Sequence, residues 1–202
     1  MRISPFVFAV LFSVFPSAVS SGQVSSDTTS CFLLHTEKIS LPGIPHAGKV
    51  SDSLFRGAQP HLSHLNELKK LGVTTIVDLR SESSHALERE RAEAESLGIQ
   101  FVSVPLGGFS TPSSSPACRI FHAARRGSSA KSFCSLEFGE DRTGVFIASY
   151  RIAFEHWTLD RALEEMYDFG FHRFCHPSME KSVRSLPERL QSDATLKAAF
   201  GN

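Results

Sequence analysis

The stretch "KSFCSLEFGEDRTG", residues 131–144, decides how this chain is read. Ser132–Leu136 carries Phe133 and Leu136 and reads as a short strand. "TGVFIASYRIAFEHW" (143–157) is too apolar along its length to be anything but a core helix. Between them lies the turn of residues 137–142. A strand, a tight turn and a buried helix leave free backbone N–H groups at a helix N-terminus, where donors and helix dipole together hold an anion. Gly139 lets the backbone turn sharply and approach an oxygen closely. Arg142 supplies a planar fork for two phosphate oxygens. No Gly-Lys-Ser/Thr follows, which argues against a Walker-type loop and magnesium-dependent nucleotide hydrolysis.

Upstream, strand and helix signals alternate. "SLFRGAQP" (53–60) predicts a strand closed by a turn at Gln59-Pro60. "HLSHLNELKKLG" (61–72) puts Leu62, Leu65, Leu68 and Leu71 on one helical face and ends at Gly72. "VTTIVDLR" (73–80) is a buried strand by its β-branched content. "HALERERAEAESLG" (85–98) is a charged surface helix closed by Gly98, and "IQFVSVPL" (99–106) is the next strand. The Gly/Ser/Pro run 107–116 follows a strand's C-terminal end, where open α/β sheets place ligands. Downstream, Thr158 is the expected N-cap of a helix over 158–170, and further helices cluster at the C-terminus. The alternation predicts an α/β fold: a central, mostly parallel sheet flanked by helices, with that C-terminal helical cluster.

The chain has 202 residues, enough for one domain with short terminal extensions. Lys+Arg and Asp+Glu each number 21, so bulk charge points to neither nucleic acid nor an anionic membrane. The first residues, "MRISPFVFAVLFSVFPSAVSSG", have one cation (Arg2), an apolar run from Pro5 to Phe15, and small residues at Ala18-Val19-Ser20. That is the layout of a secretory signal peptide over 1–20 and predicts export to the periplasm or medium. The apolar run is too short to span a bilayer comfortably, which favours cleavage over the alternative, an uncleaved membrane anchor. A linker and extended entry over 21–44, a main domain over 45–192 and a tail over 193–202 complete the expected organisation.

Four cysteines (Cys31, Cys118, Cys134 and Cys175) show no ligand spacing for zinc, and no metal or organic cofactor is expected. A disulfide such as Cys31–Cys175 fits an exported chain, but sequence does not assign it. His172 and His176, at i and i+4 in an aromatic-rich segment, suit packing or a rim contact better than metal ligation.

The turn and its surroundings resemble the Cys-dependent protein-tyrosine and dual-specificity phosphatases, whose signature is His-Cys, five residues, Arg, then Ser/Thr-Gly. The resemblance is to the small bacterial, plant and fungal dual-specificity-like group. It covers roughly residues 45–190, through "SLFRGAQP", "LKKLGVTTIVDLRSE", "GEDRTGVFIASYRIAFEHWTLDRALEEMYDFGF" and "HPSM". It implies hydrolysis of phosphate monoesters through a phosphocysteine, with a phosphorylated protein or small phosphate ester as substrate. It also implies that the turn of Glu137, Phe138, Gly139, Glu140, Asp141 and Arg142 holds the phosphate, and that Thr143 eases departure of the thiolate. Asp141 is the candidate general acid; the alternative is that it pairs with a neighbouring base or caps the helix. Arg56, Asp78 and Arg80 belong to matching segments and are expected to hold the scaffold together.

One departure stands out. Six residues before Arg142 lies Leu136, where the family has its cysteine, and Ser135 stands at the histidine. Cys134 is two residues early, about 6–7 Å up a strand. Residues 118–136 are also the one long segment that does not match the group. Reading their codons one base later, with a base restored after Leu136, allows Lys131–Leu136 to become Lys-Val-Phe-Val-His-Cys. Ile120-Phe121-His122 likewise becomes Phe-Phe-Met. A pair of compensating frameshifts is therefore one expectation for this segment. The other is a diverged pseudophosphatase, in which "HAARRGSSAK" offers a helix no clear apolar face and packs poorly.

Overall fold

The computed structural model describes residues 35–81, 84–105, 115–125 and 129–200. The expected signal peptide, the start of the linker, Cys31, and most of the 107–116 loop lie outside them. Among the described residues no helix is long and apolar enough to cross a membrane.

Six strands form one sheet: β1 (Glu37–Lys38), β2 (Gly48–Lys49), β3 (Leu54–Ala58), β4 (Val73–Asp78), β5 (Gln100–Ser103) and β6 (Lys131–Leu136). Their spatial order is β1-β2-β3-β6-β4-β5. The last four run parallel and β1 and β2 add antiparallel strands at one edge, as the mostly parallel expectation requires. Entry residues expected to be linker thus supply β1, which pairs with β2. The last strand in sequence sits in the middle of the sheet, with Arg56 opposite Cys134 on one side and Val77 on the other.

Alternation along β6 sends successive side chains to opposite layers. Phe133 joins Phe55, Ile76 and Phe101 beneath α1 (Leu65–Lys70) and α2 (His85–Ser96). Cys134 and Leu136 face the other layer, built on α3 (Ser115–Arg125) and α4 (Asp141–Phe154). Every residue of α4 from Thr143 to Phe154 is buried, so it is a core helix on all faces. Gly72 and Gly98 close α1 and α2 at φ +80° and +73°, conformations that glycine adopts without penalty. Thr158 caps α5 (Leu159–Asp168), accepting the Arg161 N–H at 3.4 Å.

Two expectations change. The α3 segment does have an apolar face: Ala117, Cys118, Ile120, Phe121 and Ala124 are all buried. Phe121 is the hub, its ring 4.5 Å from Phe146, 5.3 Å from Tyr150 and 5.3 Å from Phe154. Of "HAARRGSSAK", expected to pack poorly, Ala124 is buried in the core, and residues 126–128 lie outside the described residues. Residues expected as a tail form α8 (Ala194–Phe200), which follows α6 (Pro177–Arg184) and α7 (Leu186–Ser192) and buries Leu196 and Phe200 in that same aromatic layer. The sequence reading missed it because "ATLKAAF" spans only seven residues, too short a window for a helical period.

A buried ion network ties the α4–α5 pair to the entry segment. Arg151 donates to Glu165 through Nε (2.8 Å) and Nη2 (3.0 Å), and the Thr36 N–H donates to the same carboxylate at 2.8 Å. Arg151 also stacks over Trp157, 4.2 Å from its ring centre.

Candidate functional site

The end of β6, the turn and the first residues of α4 make one cleft of about 230 Å³, lined by Leu136, Glu137, Phe138, Asp141 and Arg142 together with Arg80, His176 and Met179. Parallel pairing puts the C-terminal ends of β3, β6 and β4 side by side beneath it. The Gln59 N–H donates to the Leu136 carbonyl at 2.7 Å, and the Leu79 N–H donates to the Ser135 carbonyl at 3.1 Å. Those bonds fix the point at which the chain leaves the sheet and turns.

Gly139 is what allows the turn. Its φ is +75°, and a Cβ there would lie 2.4 Å from the Ala58 nitrogen and 2.5 Å from the Gly57 carbonyl carbon. The turn therefore rests directly on the β3 backbone, where only glycine fits. Arg56, fully buried below, donates from Nη2 to the Gly139 carbonyl at 2.9 Å. Its guanidinium lies 4.0 Å from the centre of the Phe169 ring. Burial draws its pKa down to about 10, so it remains charged at neutral pH. Arg56 is thus the scaffold residue the sequence suggested, and it also sets positive charge directly under the turn.

The carboxylates of the turn face histidines. Asp141 accepts the His172 N–H at 2.9 Å, and its oxygens lie 3.4 Å from His172 Nδ1 and 3.3 Å from His176 Nε2. Glu140 lies 3.0 Å from His46 Nε2 and 3.5 Å from His172 Nδ1. His172 and His176 are accordingly rim contacts, with Asp141 held between them. Glu137 and Phe138 are exposed, Phe138 by 65%. Thr143 is the third residue of α4, whose N-cap is Glu140; its fully buried Oγ1 finds no hydrogen-bond partner among the described residues.

Leu136, 9% exposed, is the side chain from the end of β6 that reaches the cleft. Cys134 shares its face of the strand but is fully buried, and burial pushes its thiol far above the ordinary range. A thiol there is neither ionised nor accessible to a ligand held by Arg142.

Arg80 is the cleft residue whose role sequence reasoning missed. Its Nε donates to Asp78 at 2.5 Å and its Nη2 to Glu90 at 2.7 Å, and Gln59 donates to the same Glu90 oxygen at 2.7 Å. Both carboxylates are buried, and burial raises the pKa of each against the pull of Arg80. Arg80 is therefore scaffold and cleft wall at once. Its place just past the end of a parallel strand was the available signal, because open sheets bind ligands there.

Comparison with known proteins bears on the fold and the family. Over 125 residues the chain is 30% identical to the dual specificity protein phosphatase TpbA of Pseudomonas aeruginosa, covering 61% of this chain and 54% of that one. It is 28% identical over 154 residues to the rat dual specificity protein phosphatase 26, covering 72% of this chain and 69% of that one. The chain thus spans about half the length of the TpbA relative it matches. The crystal structure of P. aeruginosa TpbA in complex with pTyr superposes with a TM-score of 0.64 at 21% identity, covering 87% of this chain and 99% of that one, which establishes the shared fold. A family profile described as a DSP-PTPase phosphatase fused to NAD+ kinase matches residues 46–182. With that profile spanning more than half of its length, the chain belongs to the DSP-PTPase phosphatase family.

Proposed function

We propose that this chain is an exported phosphatase of the Cys-x5-Arg type, built to hydrolyse phosphate monoesters, and that as written it binds the phosphate without turning it over. What carries the reading is the single cleft that joins Leu136, the 137–142 turn and Arg142 and, among the described residues, is lined by no thiol. A cysteine at position 136 would lie at the floor of that cleft. Its thiolate would attack phosphorus, forming the S–P bond as the ester P–O bond breaks and the alcohol leaves with a proton. Water would then cleave the S–P bond and release inorganic phosphate. The turn's N–H groups and Arg142 would hold the equatorial oxygens throughout. Thr143 is the buried hydroxyl in the first turn of α4 that would ease departure of the thiolate, and Asp141, a cleft-lining carboxyl, would donate the proton. With leucine at 136 no S–P bond forms, and what remains is a phosphate-binding module. Substrate classes consistent with the cleft are a phosphorylated protein or a small phosphate ester.

Hydrolysis of an aryl phosphate tests this. The chain as written is expected to show none above background, and Leu136→Cys with Ser135→His is expected to turn over. Turnover by the unmodified chain overturns the spacing argument. Ser135 is buried, so a second variant carries the frame-corrected 118–136 segment; its failure to hydrolyse any phosphate ester sinks the enzyme reading. Vanadate or phosphate binding that Arg142→Ala abolishes supports the binding module.

A further inference from the structure

The phosphate cleft does not end at the turn. Glu137 is also a wall of a second cleft, about 320 Å³, lined as well by Gln59, His61, Leu62 and Arg89. Pro45 and His61 in turn line a third cleft that reaches Lys38. The three share walls in sequence, so a ligand anchored by its phosphate at Arg142 has a path across Glu137 toward Arg89. Arg89 projects from α2 and is exposed; neither it nor Glu137 has an ion-pair or hydrogen-bond partner among the described residues. Both side chains are therefore available to a ligand.

The charged side chains on that path are Arg80 and Arg142 in the first cleft, where Asp141 is engaged by His172 and His176, then Glu137 at the shared wall and Arg89 in the second cleft. A ligand that matches it is anionic at both ends and offers a hydrogen-bond donor in the middle. A polyphosphate matches less well, because it brings only acceptor oxygens to Glu137 and no donor for that carboxylate. A peptide does: the phosphate fills the first cleft, a main-chain N–H meets Glu137, and a nearby acidic side chain meets Arg89. Resting on the phosphate-binding reading above, we infer that the second cleft is a specificity subsite, in which Arg89 selects phosphopeptides with an acidic residue beside the phosphorylated one.

The absence of a nucleophile makes the test a direct binding measurement on the full chain. Fluorescein-labelled phosphotyrosine peptides carrying Glu, Ala or Lys at the positions flanking the phosphorylated residue are titrated by anisotropy, with inorganic phosphate and inositol hexakisphosphate as competitors. The expected order is Glu tighter than Ala tighter than Lys, with about a two- to fivefold step for one exposed charge pair, shrinking at high salt. Arg89→Glu removes or reverses the order and leaves the affinity for inorganic phosphate unchanged. A flat series, or an order that persists in Arg89→Glu while Arg142→Ala abolishes binding, overturns the subsite and leaves the phosphate reading standing. Tighter binding of inositol hexakisphosphate that weakens in Arg89→Glu also overturns it, because the subsite then reads phosphate. Binding that Arg142→Ala does not touch overturns the phosphate reading and this inference with it.

Discussion

Replacing Gly139 by alanine separates two effects that a left-handed glycine usually combines. The backbone conformation alone, at φ +75°, costs an alanine about 1–2 kcal/mol. The added methyl also meets the Ala58 nitrogen at 2.4 Å and the Gly57 carbonyl carbon at 2.5 Å, both backbone atoms of a strand paired on either side. Neither can swing aside as a side chain would. Overpacking of this kind adds about 1–3 kcal/mol, for a total of about 2–5 kcal/mol. Gly98 supplies the control. Its φ is +73°, but the one heavy atom near a Cβ there is the flexible end of Lys69, at 3.4 Å. Gly98→Ala should therefore cost only the backbone share. For a domain of this size 1 kcal/mol moves Tm by roughly 2–4 °C, so the expected losses are about 10 °C for Gly139→Ala and about 4 °C for Gly98→Ala. The functional consequence differs more sharply. Relieving the clash lifts the turn off β3, breaks the Arg56 bond to the Gly139 carbonyl and re-aims the N–H groups above it. Losing one charge-assisted hydrogen bond, worth about 1.5 kcal/mol, weakens phosphate or vanadate binding about tenfold. Differential scanning calorimetry and anion titration on both variants measure the two quantities. Equal stability losses in the two variants, or unchanged anion affinity in Gly139→Ala, would refute the account of the turn as seated on the β3 backbone.

Three further outcomes are expected. Burial alone would raise the Glu165 carboxyl, but the bonds from Arg151 and Thr36 outweigh it and hold the group below the ordinary glutamate range. A depressed carboxyl stabilises the fold above its unfolded value, near pH 4, and that stability disappears as pH falls through the folded value; Glu165→Gln should flatten this acid limb in urea melts and cost about 3 kcal/mol at neutral pH, because Arg151 is left buried and unpaired. In native alkylation, the exposed Cys175 should react well before Cys118 and Cys134, whose thiols burial holds above the ordinary value; early labelling of Cys134 would contradict its assignment to the core. Sequencing of the coding DNA across residues 118–136 should show the shifted frame, and reads that uniformly support the present frame end that proposal.

Counting along the chain was enough to reject Cys134. The distance from a nucleophile to Arg142 across one turn is a local quantity, so the register of residues 131–144 determines it before any packing is considered. Helix ends at Gly72 and Gly98, the Thr158 cap and the buried helix after the turn were equally legible, because each depends on neighbours within a few positions. The layer in which Phe133 and Cys134 part company follows from the two-residue period of a strand. Other features depend on which distant segments meet. That β6 enters the sheet between β3 and β4 brings Arg56 beneath the turn, bonded to Gly139 far along the chain, and sets Arg80, held by Asp78 and Glu90, at the cleft wall. The apolar positions of α3, at 117, 118, 120, 121 and 124, follow the helical period and can be read in the sequence; what packing decides is that α4 and α8 receive Phe121. The path from Arg142 past Glu137 to Arg89 is of the same kind. It joins a turn, the start of α2 and the end of β3, and no spacing in the sequence relates the three. Local chemistry was thus written in the chain, while the surroundings of that chemistry were decided by long-range strand pairing and by the layers packed on either face of the sheet.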